Sequence, residues 1–163
     1  MTNRKALLET VIKDRLVDTK KHLTTLQHAC SKFGSDFDFS LFEQAWSSDD
    51  EDQRLLAYGV QAGYENAING AVKIAQELCE LEGWTPANQE PKSTEALKKL
   101  KENGLVDAGT HAKLKDAYQS RGDLQHDYVH VAVYKIYEAA AATLEGVPLM
   151  LQDVALYVQQ RST

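Results

Sequence analysis

Three prolines and nine glycines in 163 residues leave little material for the many tight turns of a sheet-rich fold. Two cysteines, Cys30 and Cys79, are too few for a disulfide framework and fit a reducing compartment. No stretch reaches the roughly 20 apolar residues of a membrane span. No long apolar run follows Met1-Thr2-Asn3-Arg4-Lys5 either, so neither an anchor nor a signal peptide is expected. A cationic excess is also missing. The net charge is −6 and the pI about 5.3, which argues against a sequence-independent nucleic-acid coat protein. An enzyme that visits RNA through a local basic patch remains compatible with that charge. What is present is ordinary for a globular chain, with 43% apolar and 26% charged residues. The length suits one domain, residues 1–163, with a core that needs no metal or disulfide. The expected location is the cytoplasm.

The apolar spacing is helical throughout. Leu7, Leu8, Val11, Ile12, Leu16, Leu23 and Leu26 recur every three or four residues and predict a first helix over 4–31. A short helical turn is expected at Leu41–Trp46, where Ser40 and Glu43 have capping-box spacing. Ser48-Asp49-Asp50-Glu51 then gives a stronger start signal, with acids at the positive helix end. The second long helix should run from about Asp49 to Leu81. Within it Gly59, Gly63 and Gly70 imply close helix–helix approach, because each costs roughly 1 kcal/mol against Ala in a helix interior. A short helix over Thr94–Glu102 ends at Asn103-Gly104. The next starts near Thr110 and extends to Leu144, with a weak point at Gly122. Gly146-Val147-Pro148 should end it, and Leu149–Gln160 should form a last segment. With no period-two strand and no internal repeat, the fold class is all-α, an up-and-down bundle of four to five helices.

Charge is uneven along the chain. Residues 1–32 hold seven Lys/Arg against three Asp/Glu, residues 33–66 one against eight, and residues 92–121 seven against four. The two basic stretches would make a basic side if they lay together. Otherwise they are solvated helix faces.

Polar chemistry concentrates at Tyr118-Gln119-Ser120-Arg121-Gly122-Asp123-Leu124-Gln125-His126-Asp127-Tyr128-Val129-His130. On an ideal helix Asp123, His126, Asp127 and His130 fall within about 100° of one another, while Arg121 and Tyr128 share the opposite face. Three interpretations stand side by side. The first is a surface helix with i,i+4 polar pairs. The second is a metal site, with His126 and His130 at ligand spacing and Asp123 or Asp127 as a third ligand. The third is metal-free acid–base chemistry on a phosphate ester, in which a His moves a proton and an Arg stabilises charge on phosphoryl oxygens. Arg121 and His126 meet on one helix only if Gly122 loosens it or Arg121 reaches round. A second copy of the helix would supply the missing side instead. Elsewhere His22, His28 and His111 are expected at the surface, Tyr134 and Tyr137 in packing, and Trp46 and Trp84 in the cores of their loops.

The run Arg121-Gly122-Asp123-Leu124-Gln125-His126-Asp127-Tyr128 resembles the R-x-x-x-x-H-x-Y signature of HepT-like toxins, of the HEPN (higher eukaryotes and prokaryotes nucleotide-binding) superfamily. Arg54-Leu55-Leu56-Ala57-Tyr58, Gly83-Trp84-Thr85-Pro86, the Thr94–Leu100 helix and Gly104-Leu105-Val106 are similar in order and spacing, so the likeness covers about 1–144. It implies a HEPN-like helical bundle that pairs as a homodimer, bringing Arg and His from both copies into one cleft. It further implies a metal-independent endoribonuclease, needing no cofactor, in which Arg121 and His126 are catalytic and Asp123 and Asp127 supporting. The 2′-hydroxyl would attack the adjacent phosphate, giving a cyclic phosphate and a free 5′-hydroxyl. The implied partners are RNA and a minimal nucleotidyltransferase antitoxin that adds AMP to Tyr128. The commonest family motif has Asn directly after the Arg, where this chain has Gly122. The alternative function is a non-catalytic HEPN-fold interaction module.

Overall fold

A computed structural model describes residues 2–86, 89, 91–123 and 131–161. All its regular elements are helices: α1 (Thr2–Ser31), α2 (Phe39–Trp46), α3 (Glu51–Glu82), α4 (Ser93–Glu102), α5 (Ala108–Asp123) and α6 (Val131–Arg161). The all-α expectation is met, with six helices among the described residues. The turn expected at Leu41–Trp46 is a full two-turn helix, α2. Its N-cap is Asp38, whose Oδ1 accepts from Leu41 N at 3.0 Å, rather than Ser40.

The start of α3 also lies later than its capping box suggested. Asp50 is the N-cap and accepts from Asp52 N at 2.9 Å, while Ser48 Oγ accepts from Asp50 N at 3.0 Å in the turn before. An Asp here satisfies an orphan N–H and places negative charge at the positive helix end, so it outcompetes the hydroxyl two residues earlier. The C-terminus matches expectation. Gly83 takes the left-handed conformation at φ 68°, and Trp84 N donates back to Cys79 O at 3.0 Å.

Pro148 does not terminate a helix as the Gly146-Val147-Pro148 signal predicted. α6 runs through it to Arg161. The missing N–H forfeits one ladder bond. Val147, Met150, Leu151 and Val154 are all buried beside it, and that burial holds the segment helical. Gly146 is used for packing instead, since a Cβ there would lie 3.2 Å from Lys113 Cβ on α5.

α3 is the axis of the bundle, and every other helix packs against it. Its most extensive partner is α1, and two of the three α3 glycines make that approach possible. A Cβ on Gly63 would lie 3.2 Å from Leu26 Cα, and one on Gly70 would lie 3.1 Å from Thr19 Cβ and inside contact of Thr19 Oγ1. Gly59 has open space around it and does not serve this purpose. α1 touches α3 and α6 but neither α4 nor α5 among the described residues. The basic stretches 1–32 and 92–121 therefore lie on helices that pack on α3 without touching each other.

Arg161 ties the ends together, donating to Glu9 on α1 at 3.0 Å and pairing with Glu82 on α3. Around α2 the rings of Phe33, Phe37, Phe42 and Tyr137 interlock, with Phe37 and Tyr137 centroids 4.7 Å apart. Trp46 packs on Tyr58, Trp84 on Tyr157, and Tyr134 on Phe39, so these aromatics have the packing roles expected of them. Among the described residues no helix is long and apolar enough to cross a membrane.

The two types of α3 glycine give opposite expectations for one substitution. Gly59→Ala should stabilise the protein by about 1 kcal/mol through helix propensity. Gly70→Ala should destabilise it by about 1–3 kcal/mol, because Thr19 is 2% exposed and has nowhere to move. Denaturant titration of both variants checks the contrast, and equal shifts would contradict the close α1–α3 seam.

Candidate active site

Arg121 lies in the last turn of α5 and is half-buried. Its guanidinium is held from three sides. Nη1 donates to Asn69 Oδ1 on α3 at 2.6 Å. Nη2 lies 3.4 Å from Tyr118 Oη, one helical turn earlier on α5. The guanidinium carbon sits 4.9 Å from the Tyr118 ring centroid, a cation–π distance. Tyr118 is itself fixed, because its hydroxyl donates to Ser93 Oγ at the start of α4 at 2.9 Å. α3 and α5 thus hold the cation directly, and α4 fixes the tyrosine that it rests on.

The helix repeat explains why α3 can do this. Ala67, Ile68 and Ala71 are fully buried in the core, and Gly70 turns to α1. Asn69 is half-buried and faces α5. Asn is a poor helix former, so a polar amide inside an otherwise small and apolar run was the signal available in the sequence. Asn69, Ser93 and Tyr118 carry no motif that would mark them as site residues in the sequence.

Tyr64 also senses Arg121. It is fully buried, and its hydroxyl has no hydrogen-bond partner among the described residues. Burial pushes its pKa up, the Glu65 charge pushes the same way, and the Arg121 charge opposes both. It is held neutral and supplies no base. The thiols are equally inert: burial raises Cys79 to about 11 and Cys30 to about 12.

Of the catalytic, modification and supporting residues expected from the sequence, Arg121 is the one whose side chain is described. Asp123 is placed as the last residue of α5 by its backbone alone. His126, Asp127, Tyr128 and His130 lie outside the described residues, so the arrangement of Arg121 against His126 and the suggested metal set do so too. Among the described residues no group of three or more His, Cys, Asp or Glu could hold a metal ion.

The corner of α4 and α5 is locally basic. His111, expected at the surface, is half-buried there. Its pKa is lowered first by burial and then by Lys101, Lys115 and Lys98. α5 leads from this corner directly to Arg121, so an anion approaching along the helix meets positive charge before it meets the guanidinium.

The family model for "Ribonuclease HepT-like" matches residues 26–154, from within α1 to within α6, and the span includes the whole 121–128 run. No curated protein and no solved structure matches the chain. The family match covers most of the sequence and agrees with the all-helical architecture, and the chain belongs to the HepT-like ribonuclease family.

Proposed function

We propose that the protein is a metal-independent endoribonuclease, the toxin of a pair with a minimal nucleotidyltransferase antitoxin, acting as a homodimer in the cytoplasm. The observation that carries this is Arg121. A guanidinium is aimed by fixed neighbours within the sequence span matched by a ribonuclease family. A guanidinium fork suits the non-bridging oxygens of a phosphodiester and the charge that grows on them. Arg121 of one copy would hold the phosphate while His126 of the other moves the proton.

The reaction balances without a metal. His126 takes the proton from the ribose 2′-hydroxyl, and the 2′-oxygen forms a bond to phosphorus. The bond from phosphorus to the 5′-oxygen breaks, and the same imidazole returns a proton to that leaving oxygen. The products are a 2′,3′-cyclic phosphate and a 5′-hydroxyl. An unperturbed imidazole titrates near neutrality, as a group that must both accept and donate requires. Asp123 and Asp127 are assigned supporting roles beside the motif.

Cleavage of single-stranded RNA in the presence of a chelator tests the reading. Wild type should cut and leave cyclic phosphate ends. Arg121→Ala and His126→Ala should each lose about 100-fold or more in rate. Activity that vanishes in chelator and returns with a divalent ion would favour the metal alternative. RNA binding without cleavage by the wild type would favour the non-catalytic module.

Tyr128 is the proposed switch. AMP on its hydroxyl would bring an anionic phosphodiester beside the motif, where it competes with RNA for Arg121 and blocks the cleft by bulk. Tyr128→Phe should keep cleavage within about threefold of wild type, since the reaction scheme above uses no phenol. It should also escape neutralisation when a nucleotidyltransferase and ATP are added. A Tyr128→Phe protein as inactive as His126→Ala would contradict this assignment.

A further inference from the structure

The aim of Arg121 is set by a residue on another helix. Asn69 and Arg121 are 52 positions apart in the chain, and their 2.6 Å hydrogen bond ties the end of α5 to the middle of α3. We propose that Asn69 is a positioning residue for RNA cleavage, an uncharged anchor that orients the Arg121 guanidinium without neutralising it. The proposal rests on Arg121 being the phosphate-binding group.

An arginine side chain has many rotamers, so its guanidinium needs fixed neighbours to hold one direction. Tyr118 supplies a flat surface and a long 3.4 Å contact, and both belong to the same helix as Arg121. They limit its height above α5 but leave rotation about the stem. The Asn69 bond comes from outside α5 and fixes that rotation. It occupies one N–H of Nη1, Tyr118 takes a long contact from Nη2, and the remaining guanidinium N–H groups have no partner among the described residues.

The chemical identity of the anchor matters as much as its place. A carboxylate at position 69 would hold Arg121 roughly twice as strongly as a neutral acceptor does. It would also cancel the charge that the phosphate is meant to meet. An amide oxygen accepts the same bond and adds no charge. Glu65 is the acid one turn earlier on α3, and it accepts instead from Gln61 Nε2 at 3.4 Å. Among the described residues no carboxylate lies within ion-pair distance of Arg121. A site built only to fasten α3 to α5 would gain from Asp at 69, whereas a site built to present a free cation requires the amide.

Asn69→Asp separates these roles, because it preserves shape and acceptor while adding charge. The experiment measures kcat, KM and Tm for the full chain on a mixed-sequence single-stranded RNA pool near neutral pH. It compares wild type, Asn69→Asp, Asn69→Ala and Arg121→Ala. Asn69→Asp should keep or raise Tm and lose about 100-fold in kcat/KM, since the guanidinium is held but neutralised. Asn69→Ala should lose about 10- to 100-fold in kcat with KM within a few-fold of wild type, as a correctly charged but badly aimed group would. Wild-type kcat/KM in Asn69→Asp, or a drop in its Tm that tracks the activity loss, overturns the proposal. Inactive Arg121→Ala alongside two fully active Asn69 variants overturns the proposal and leaves the catalytic role of Arg121 standing. A fully active Arg121→Ala overturns that catalytic role itself.

Discussion

The close seam between α1 and α3 is the constraint on which the rest of the molecule depends. α3 touches every other helix, so its position fixes theirs. Gly63 and Gly70 let the α1 backbone come within a distance that any side chain would obstruct. Each glycine costs roughly 1 kcal/mol of helix propensity. Burial of Ile12, Leu23 and Leu26 from α1, and of Val60, Tyr64, Ile68 and Ile74 from α3, more than offsets that at about 1.5–3 kcal/mol per large side chain. With α3 pinned on one side, the next residue round its surface, Asn69, is presented to α5 at a fixed height. The candidate site is in this sense a consequence of the packing seam about 100° round the same helix.

The electrostatics of the site follow from what surrounds Arg121. Its partners among the described residues are an amide oxygen, a phenol oxygen and a ring face, all neutral. Of the other arginines, Arg54 donates to the Ser48 carbonyl oxygen at 2.8 Å, and three end on carboxylates: Arg4 on Glu80, Arg15 on Glu77, and Arg161 on Glu9 and Glu82. Those pairs fasten helices together. A cation whose partners among the described residues are all neutral keeps its affinity for an arriving anion, and the lysines of the α4–α5 corner add long-range attraction toward the same helix. The chain's net negative charge thus says little about the local field at Arg121.

Much of the fold was legible in the sequence because amphipathic spacing and capping residues are local. The extents of α1 and α3, the stop at Asn103-Gly104 and the packing roles of Gly63 and Gly70 all follow from such signals. The errors have physical causes as well. Pro148 breaks helices in isolation but is carried through α6 by buried neighbours, a tertiary effect invisible in a local pattern. Gly59 looks like Gly63 in sequence and differs only in having no helix opposite it. At the site, the motif arginine was legible from its spacing and from the family resemblance. Asn69 showed only as a polar amide in an apolar run, and Ser93 and Tyr118 not at all, because the pairing of α3 with α5 and of α4 with Tyr118 is a tertiary contact.

The central claim is that one catalytic set is assembled from Arg121 of one copy and His126 of the other. Co-expression of Arg121→Ala and His126→Ala subunits under two different affinity tags, followed by isolation of the doubly tagged species, tests it most directly. Such a heterodimer has one site with both residues intact and one with neither. It should recover up to about half of wild-type RNA cleavage although each mutant homodimer is inactive. A doubly tagged heterodimer as inactive as its two parents, or a chain that yields no doubly tagged species at all, would contradict the account.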